Sequence, residues 1–269
     1  GTTTVTWTVT DGAGNTGTCS FNVSIQDNVA PVITVCANQA ASTDASACTY
    51  THSGAGWNVT ATDNCTVASV TYVLTGATEG TVTNTLNGTV FNKGTTNIAV
   101  TVADGASTPN TATCSFTVTI TDNENPTITC PEAITESVVA GCSKSITIPA
   151  IAFDDNCDGE SIKWSASGAT IIAETNDQPG AQTFNVGTTQ ITVTVIDAAN
   201  HTTDCTFTVT VNDEIDPTVT CPENLTAFAA EGACNASVEI PAIAFGDNCP
   251  GSSLAWSFSG ATNLNGSGQ

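Results

Sequence analysis

The sequence predicts an all-β protein built of tandem sandwich repeats, and three observations carry that prediction. The first is self-similarity. TCSFNVSIQDNVAPVITVC, from Thr18 to Cys36, returns as TCSFTVTITDNENPTITCP from Thr113 to Pro131 and as DCTFTVTVNDEIDPTVTCP from Asp204 to Pro222. Cys19 and Cys114 lie 95 residues apart and Cys114 and Cys205 lie 91 apart, the size of a small domain. The second is a period of two: Phe116, Val118 and Ile120 alternate with Thr117, Thr119 and Thr121, giving a strand one apolar and one wet face. The third is the lack of any amphipathic helical stretch, together with frequent Gly, Asn and Asp turn signals.

The elements follow in order. Residues 1–27 hold two strands, Thr3–Thr10 and Cys19–Ile25, around the turn DGAGNTG, where glycines supply positive φ. They read as the closing hairpin of an incomplete domain. Residues 28–122 and 123–213 read as two complete domains of about seven strands each. Each starts after an acidic linker ended by proline, which lacks an N–H and fixes φ. A short strand then carries Cys36 or Cys130, and a turn reaches Cys48 or Cys142. A second strand such as Ser145–Ala150 leads to Asp-Asn-Cys at 63–65 or 155–157. The next strand carries Tyr72 or Trp164 four residues before Gly-Ala, an aromatic suited to a sandwich core. Phe91–Thr96 and Phe184–Thr189 turn the chain into the closing hairpin. Residues 214–269, with Cys221, Cys234, Cys249 and Trp256, match this order through Gly260-Ala261 and read as the N-terminal part of a further incomplete domain.

Charge narrows the function. Three Lys+Arg against 25 Asp+Glu give a net charge of −22, which excludes phosphate-backbone binding as a main task and argues against an anionic membrane surface. No apolar run is long enough to span a bilayer, so direct membrane insertion is not expected. Such a surface attracts cations and keeps an extended protein soluble. The twelve cysteines fall in three sets of four: Cys19, Cys36, Cys48 and Cys65, then Cys114, Cys130, Cys142 and Cys157, then Cys205, Cys221, Cys234 and Cys249. Even numbers at regular spacing in small β domains predict disulfides and an oxidising compartment, and no C-x-x-C pair suggests zinc.

Pro126-Thr127-Ile128-Thr129-Cys130-Pro131, Asp155-Asn156-Cys157, Phe184-Asn185-Val186-Gly187-Thr188-Thr189 and Thr113-Cys114-Ser115-Phe116 resemble, in order and spacing, the hyalin repeat (HYR) domain. The first complete repeat departs from the pattern: Ala37 follows Cys36 where the others have proline, and Trp57 replaces the proline seen at 149 and 241. The resemblance implies immunoglobulin-like sandwiches in tandem, extracellular or at the cell surface, in adhesive and matrix-like proteins. It implies no catalysis.

Four cysteines per repeat allow three pairings. First and last strands start at the same end of such a sandwich, which favours Cys36–Cys114 and Cys130–Cys205 and leaves Cys48–Cys65 and Cys142–Cys157. Cys234 and Cys249 are also expected in disulfides, and Cys19 and Cys221 are expected to join across copies. The acidic linkers suggest Ca²⁺, which accepts six to eight oxygens in loose geometry. In an immunoglobulin-like topology Asp122 and Glu124 can meet Asp154, Asp155 and Asp197. The parallel set is Asp27, Asn28, Asp63 and Asp104, and the third is Asp213, Glu214, Asp216 and Asp247. The same residue types are also ordinary turn formers. Only His52 and His201 offer an imidazole, both expected in exposed loops, and no enzyme is expected. Lys93, Lys144 and Lys163 do not align between repeats, which argues against isopeptide crosslinks.

The expected function is therefore a structural segment of an extracellular filament, stalk or surface fibre. Its partners are other copies of itself or adjoining repeats of a longer chain. Head-to-tail complementation of the incomplete end domains would assemble it. The alternative is a cell-surface adhesin module gripping a glycan or protein ligand.

Overall fold

The computed structural model describes residues 1–262 and the strand backbone of 264–267; among these there is no helix. The chain divides into two compact units, Gly1–Glu124 with Asp155–Asp158, and Asn125–Asp154 with Gly159–Gln269.

The first unit opens with a hairpin of β1 (Thr2–Thr10) and β2 (Thr16–Ser24), in which Val5 faces Phe21 and Trp7 faces Cys19. Asp11 closes its turn by accepting the N–H groups of Ala13 and Asn15. Nine strands follow. They are β3 (Val32–Val35), β4 (Gln39–Ser42), β5 (Thr49–Thr51), β6 (Thr60–Thr62) and β7 (Val67–Gly76). Then come β8 (Gly80–Thr83), β9 (Val90–Asn92), β10 (Gly94–Asp104) and β11 (Thr111–Thr121). A five-stranded sheet has the order β4-β11-β10-β7-β8, and two short ladders pair β3 with β6 and β5 with β9. The ladders bring Ile33, Tyr50, Ala61 and Phe91 against Tyr72, Leu74, Ile98, Val100, Phe116 and Val118 of the large sheet. The result is a β-sandwich of immunoglobulin-like type.

The opening segment of this sandwich serves both layers. β3 pairs antiparallel with β6, and the chain then crosses so that β4 runs parallel to β11. Cys36 lies at the crossing and is bonded to Cys114 on β11.

Alternation in β10 buries Thr96, Ile98, Val100, Val102 and Asp104, so the apolar face includes a threonine. It is tolerated because Thr96 Oγ1 accepts the Thr78 N–H at 3.1 Å, while Thr78 Oγ1 accepts the Asn92 N–H at 2.8 Å. The Gly-Ala signature has a steric cause. Gly76 has φ +98°, and a Cβ there would sit 2.8 Å from the Thr95 carbonyl oxygen.

The second unit repeats the plan. Its strands are β12 (Thr127–Ile128), β13 (Ile134–Ser137), β14 (Ser143–Thr147), β15 (Phe153–Asp154) and β16 (Ser161–Gly168). They continue with β17 (Ile172–Thr175), β18 (Ala181–Asn185), β19 (Gly187–Ile196) and β20 (Thr202–Asn212). The sheet order β13-β20-β19-β16-β17 and the ladders β12·β15 and β14·β18 match the first unit strand for strand. Trp164, Phe184, Ile191, Val193 and Val209 form its core. The relay recurs as Thr170 N–H to Thr189 Oγ1 and Asn185 N–H to Thr170 Oγ1. Four further strands, β21 (Thr218–Thr220), β22 (Ala244–Gly246), β23 (Ala255–Phe258) and β24 (Leu264–Ser267), form two two-stranded ladders.

The cysteine wiring corrects the expected pairing. Cys36–Cys114 and Cys130–Cys205 join first and last strands. Cys48, however, bonds to Cys157 rather than Cys65, and Cys142 bonds to Cys249 rather than Cys157. Cys19, Cys65, Cys221 and Cys234 carry no disulfide in the described chain. The reason is reach. The Asp155–Asp158 segment belongs with the first compact unit, where it meets the Cys48 turn. A disulfide forms where Cα atoms come within about 7 Å, whatever the sequence spacing.

His52 also differs from expectation. It is 4% exposed, and its ring stacks on Trp57 with centroids 4.2 Å apart. Trp57 in turn meets Phe91 edge-on, so the residue that replaces the proline of the other repeats brings an aromatic cluster with it.

Candidate metal centre

In the first unit, Asp27 after the opening hairpin, Asp63 after β6 and Asp104 at the end of β10 converge, with carboxylate oxygens within 4.8 Å of one another. Local turn chemistry places each one. Asp104 is 2% exposed; its Oδ1 accepts the N–H groups of Ala106 and Asn110, and its Oδ2 accepts Asn110 Nδ2 at 2.7 Å. Asp27 Oδ1 accepts the Val29 N–H at 3.0 Å and Asn64 Nδ2 at 3.2 Å. Asp63 Oδ1 accepts the Cys65 N–H at 2.9 Å. Asp27 Oδ2 and Asp63 Oδ2 are buried, with no hydrogen-bond partner among the described residues.

The electrostatics of this group are one-sided. All three lysines are committed elsewhere, Lys93 to Asp122, Lys144 to Glu136 and Lys163 to Glu174. The Asn110 amide is the main influence holding Asp104 below the usual carboxylate range, and the Val29 N–H and the Asn64 amide do the same for Asp27. Both are thereby held toward the charged form, and neither makes an ion pair with a lysine among the described residues. The Asp27 carboxylate beside it pushes the Cys65 thiol up. Two orphaned carboxylate oxygens in a lysine-free cluster of three carboxylates fit a hard divalent cation such as Ca²⁺, with water completing its shell.

Residues 121–211 match the family model of the HYR domain. This segment is an HYR domain. The chain is also 31% identical over 244 residues to hyalin of Lytechinus variegatus, covering 88% of this chain and 42% of that protein. The chain thus spans less than half of that relative's length. Among solved structures, protocadherin gamma B7 extracellular cadherin domains 1–4 align with a TM-score of 0.35 at 14% identity, over 94% of this chain and 71% of that one. Mouse cadherin-23 EC22–24 aligns with a TM-score of 0.34 at 15% identity, over 71% of this chain and 69% of that one.

A chain with an HYR segment and four disulfides is an extracellular or cell-surface protein, since such bonds persist in oxidising compartments. It is an extracellular repeat module. Among the described residues no helix is long and apolar enough to cross a membrane.

The other expected ligands divide by unit. Asp122 is buried in the first unit, where Lys93 Nζ approaches it at 3.3 Å and the carboxylate of Asp155 lies within 4.8 Å. Glu124 instead accepts the Ser46 N–H at 2.9 Å, and Asn28 is exposed. In the HYR domain's own unit, Asp154 is exposed on β15. Asp197 is buried there, which raises its pKa, yet bonds from the His201 ring and from the His201 and Ala199 N–H groups hold it below the usual range. His201 is thus half-buried against a carboxylate rather than a free loop residue.

In the third set, Asp213 accepts the Ile215 N–H and Asn248 Nδ2, Glu214 accepts the Ser137 hydroxyl, and Asp247 accepts the Cys249 N–H. Asp216 is exposed. These four form no three-carboxylate group among the described residues. Sequence reasoning missed Asn64 and Asn110, which orient Asp27 and Asp104. The thrice-repeated Asp-Asn-Cys was the available signal for the first, and nothing in the sequence marked the second.

Proposed function

We propose that this chain is a structural repeat segment of an extracellular filament, stalk or surface fibre, with no catalytic task. The observation that supports it most is the wiring. Cys48–Cys157 and Cys142–Cys249 span 109 and 107 residues, each bonding one sequence repeat to the next, so tension passes through covalent bonds rather than through folded cores alone. Successive domains are read at residues 28–122 and 123–213, flanked by the partial domains 1–27 and 214–269. The hairpin face of Trp7, Val9, Phe21, Val23 and Ile25 is exposed, as is the Val219, Leu225 and Phe228 surface of the last repeat. Each is completed by the missing part of a neighbouring repeat, contributed by an adjoining stretch of polypeptide or by another copy head-to-tail. Cys19 and Cys221 then pair as first and last strand do in Cys36–Cys114. Ca²⁺ at Asp27, Asp63 and Asp104 stiffens the start of the first complete repeat.

Electron microscopy of the native material tests the reading. Filaments with a regular axial repeat are expected, and isolated rods or monomers would refute it. Calcium is tested separately by thermal unfolding with CaCl₂ against EDTA. A rise in Tm that Asp104→Asn removes is expected, and equal Tm values refute the site.

A further inference from the structure

Cys48–Cys157 and Cys142–Cys249 are two instances of one joint. In each, the cysteine of the early turn of one repeat bonds the cysteine of the next repeat's Asp-Asn-Cys. The asparagine of that motif completes the joint. Asn156 Nδ2 donates to the carbonyl of Ala47, the residue before Cys48, and Asn248 Nδ2 donates to that of Gly141, the residue before Cys142. Asn248 also reaches Asp213 Oδ1 and lies 3.3 Å from Cys249 Sγ.

Cys65 presents the receiving half of this joint. Asp63 Oδ1 accepts its N–H, as Asp155 and Asp247 do for Cys157 and Cys249. Asn64 Nδ2 reaches Asp27 Oδ1 and lies 3.6 Å from Cys65 Sγ, matching two of the three bonds made by Asn248. Where the incoming carbonyl would lie there is an open cleft of about 790 Å³, bordered by Asn64, Cys65, Thr66, Asp27 and Val29. Cys65 is exposed at this cleft.

Cys234 presents the delivering half. The Ala233 N–H bonds to the Ala230 carbonyl at 2.9 Å, as the Ala47 N–H bonds to the Asp44 carbonyl at 3.0 Å ahead of Cys48. The residue two before each cysteine is left-handed, Gly232 at φ 80° and Ser46 at φ 59°. Cys234 is also exposed.

We infer that Cys65 and Cys234 are the two open halves of a third joint, in which Cys65 receives a Cys234-type cysteine from a preceding repeat of this same kind. The inference rests on the fibre reading and adds a second covalent tie at each junction, beside Cys19–Cys221. The step needs a disulfide oxidant of low molecular weight. One thiolate attacks it and expels a thiolate, the second cysteine displaces the other half, and the two thiol protons leave on the two released thiols.

The test uses native material with thiols blocked at harvest and digested without reduction. Cys65 joined to Cys234, or to the matching cysteine of an adjoining repeat, supports the inference. Alkylated Cys65 or Cys234, or either one bonded to Cys19 or Cys221, overturns it. Filaments with alkylated Cys65 would sink this joint and leave the fibre reading standing; the joint without filaments would do the reverse. The 269-residue chain with Cys19→Ser and Cys221→Ser, oxidised with glutathione disulfide, identifies the source. A ladder of 27.1 kDa steps that collapses on reduction means that a second copy supplies the cysteine. Monomers with both thiols alkylated, from a chain whose native material is likewise unlinked, overturn the proposal. Monomers beside linked native material assign the cysteine to an adjoining repeat of one polypeptide.

Discussion

Pulling the oxidised chain by its two ends is expected to release far less length than its residue count suggests. The shortest covalent route from Cys36 to Cys249 follows the backbone to Cys48, crosses to Cys157, returns along the backbone to Cys142 and crosses again. Fully unfolded, that route of about 27 residues extends to about 95 Å at roughly 3.5 Å per residue, besides the two bridges. Reduction frees the whole backbone between Cys36 and Cys249, about 213 residues and about 750 Å, a gain of about 650 Å. Pairing of neighbours, as Cys48–Cys65, Cys142–Cys157 and Cys234–Cys249, would instead route the force through Cys36–Cys114 and Cys130–Cys205. That longer route holds about 45 residues, and reduction would then release only about 590 Å. Optical-tweezers extension before and after adding reductant reads the difference directly, because the segments outside Cys36 and Cys249 are the same in both states. A gain at the smaller of these two values would refute the inter-repeat wiring.

Two further outcomes are specific to the first unit. Tyr72→Phe is expected to lower its stability by about 1–3 kcal/mol, because the fully buried Tyr72 hydroxyl accepts the Val59 N–H at 3.0 Å and its loss orphans that donor; an unchanged urea midpoint would contradict this. Burial holds the His52 pKa below its usual value, so the folded state resists a proton that the unfolded chain accepts. Stability should be full above about pH 6.5 and fall as pH drops below it toward the folded value, by at most about 1.4 kcal/mol per pH unit. Urea midpoints at pH 7.5 and 5.5 should show this slope reduced in His52→Phe, and an equal slope in both proteins would count against it.

Much of the sandwich is written locally. Ile98, Val100 and Val102 alternate with Asn97, Ala99 and Thr101 in sequence, and the same alternation appears in burial, because side chains on a strand point to opposite faces in turn. Tyr72 and Trp164 are buried on central strands where their spacing from Gly-Ala placed them, and the glycines answer to the Thr95 and Thr188 carbonyls. Trp256, at the matching position, is 39% exposed among strands that pair two by two among the described residues, so its burial depends on neighbours and not on its own sequence.

The candidate site was legible in part. Asp27, Asp63 and Asp104 carried the signal of acidic turns at corresponding places in a repeat, and they meet. Glu124 carried the same signal and turned to the Ser46 N–H, since a flexible carboxylate takes whichever donor lies nearest in space. Thus the sequence by itself determined the all-β class and the alternating faces, which follow from period, while the first-to-last-strand cysteine pairs Cys36–Cys114 and Cys130–Cys205 were favoured only through the topology of the sandwich. Only the tertiary structure decided that Cys48 reaches across 109 residues to Cys157, that His52 lies against Trp57, and that the Asp27 and Asp63 carboxylates each keep an oxygen without a donor. Those outcomes depend on which loops converge in space. Backbone periodicity is a property of neighbours along the chain and carries no information about such encounters.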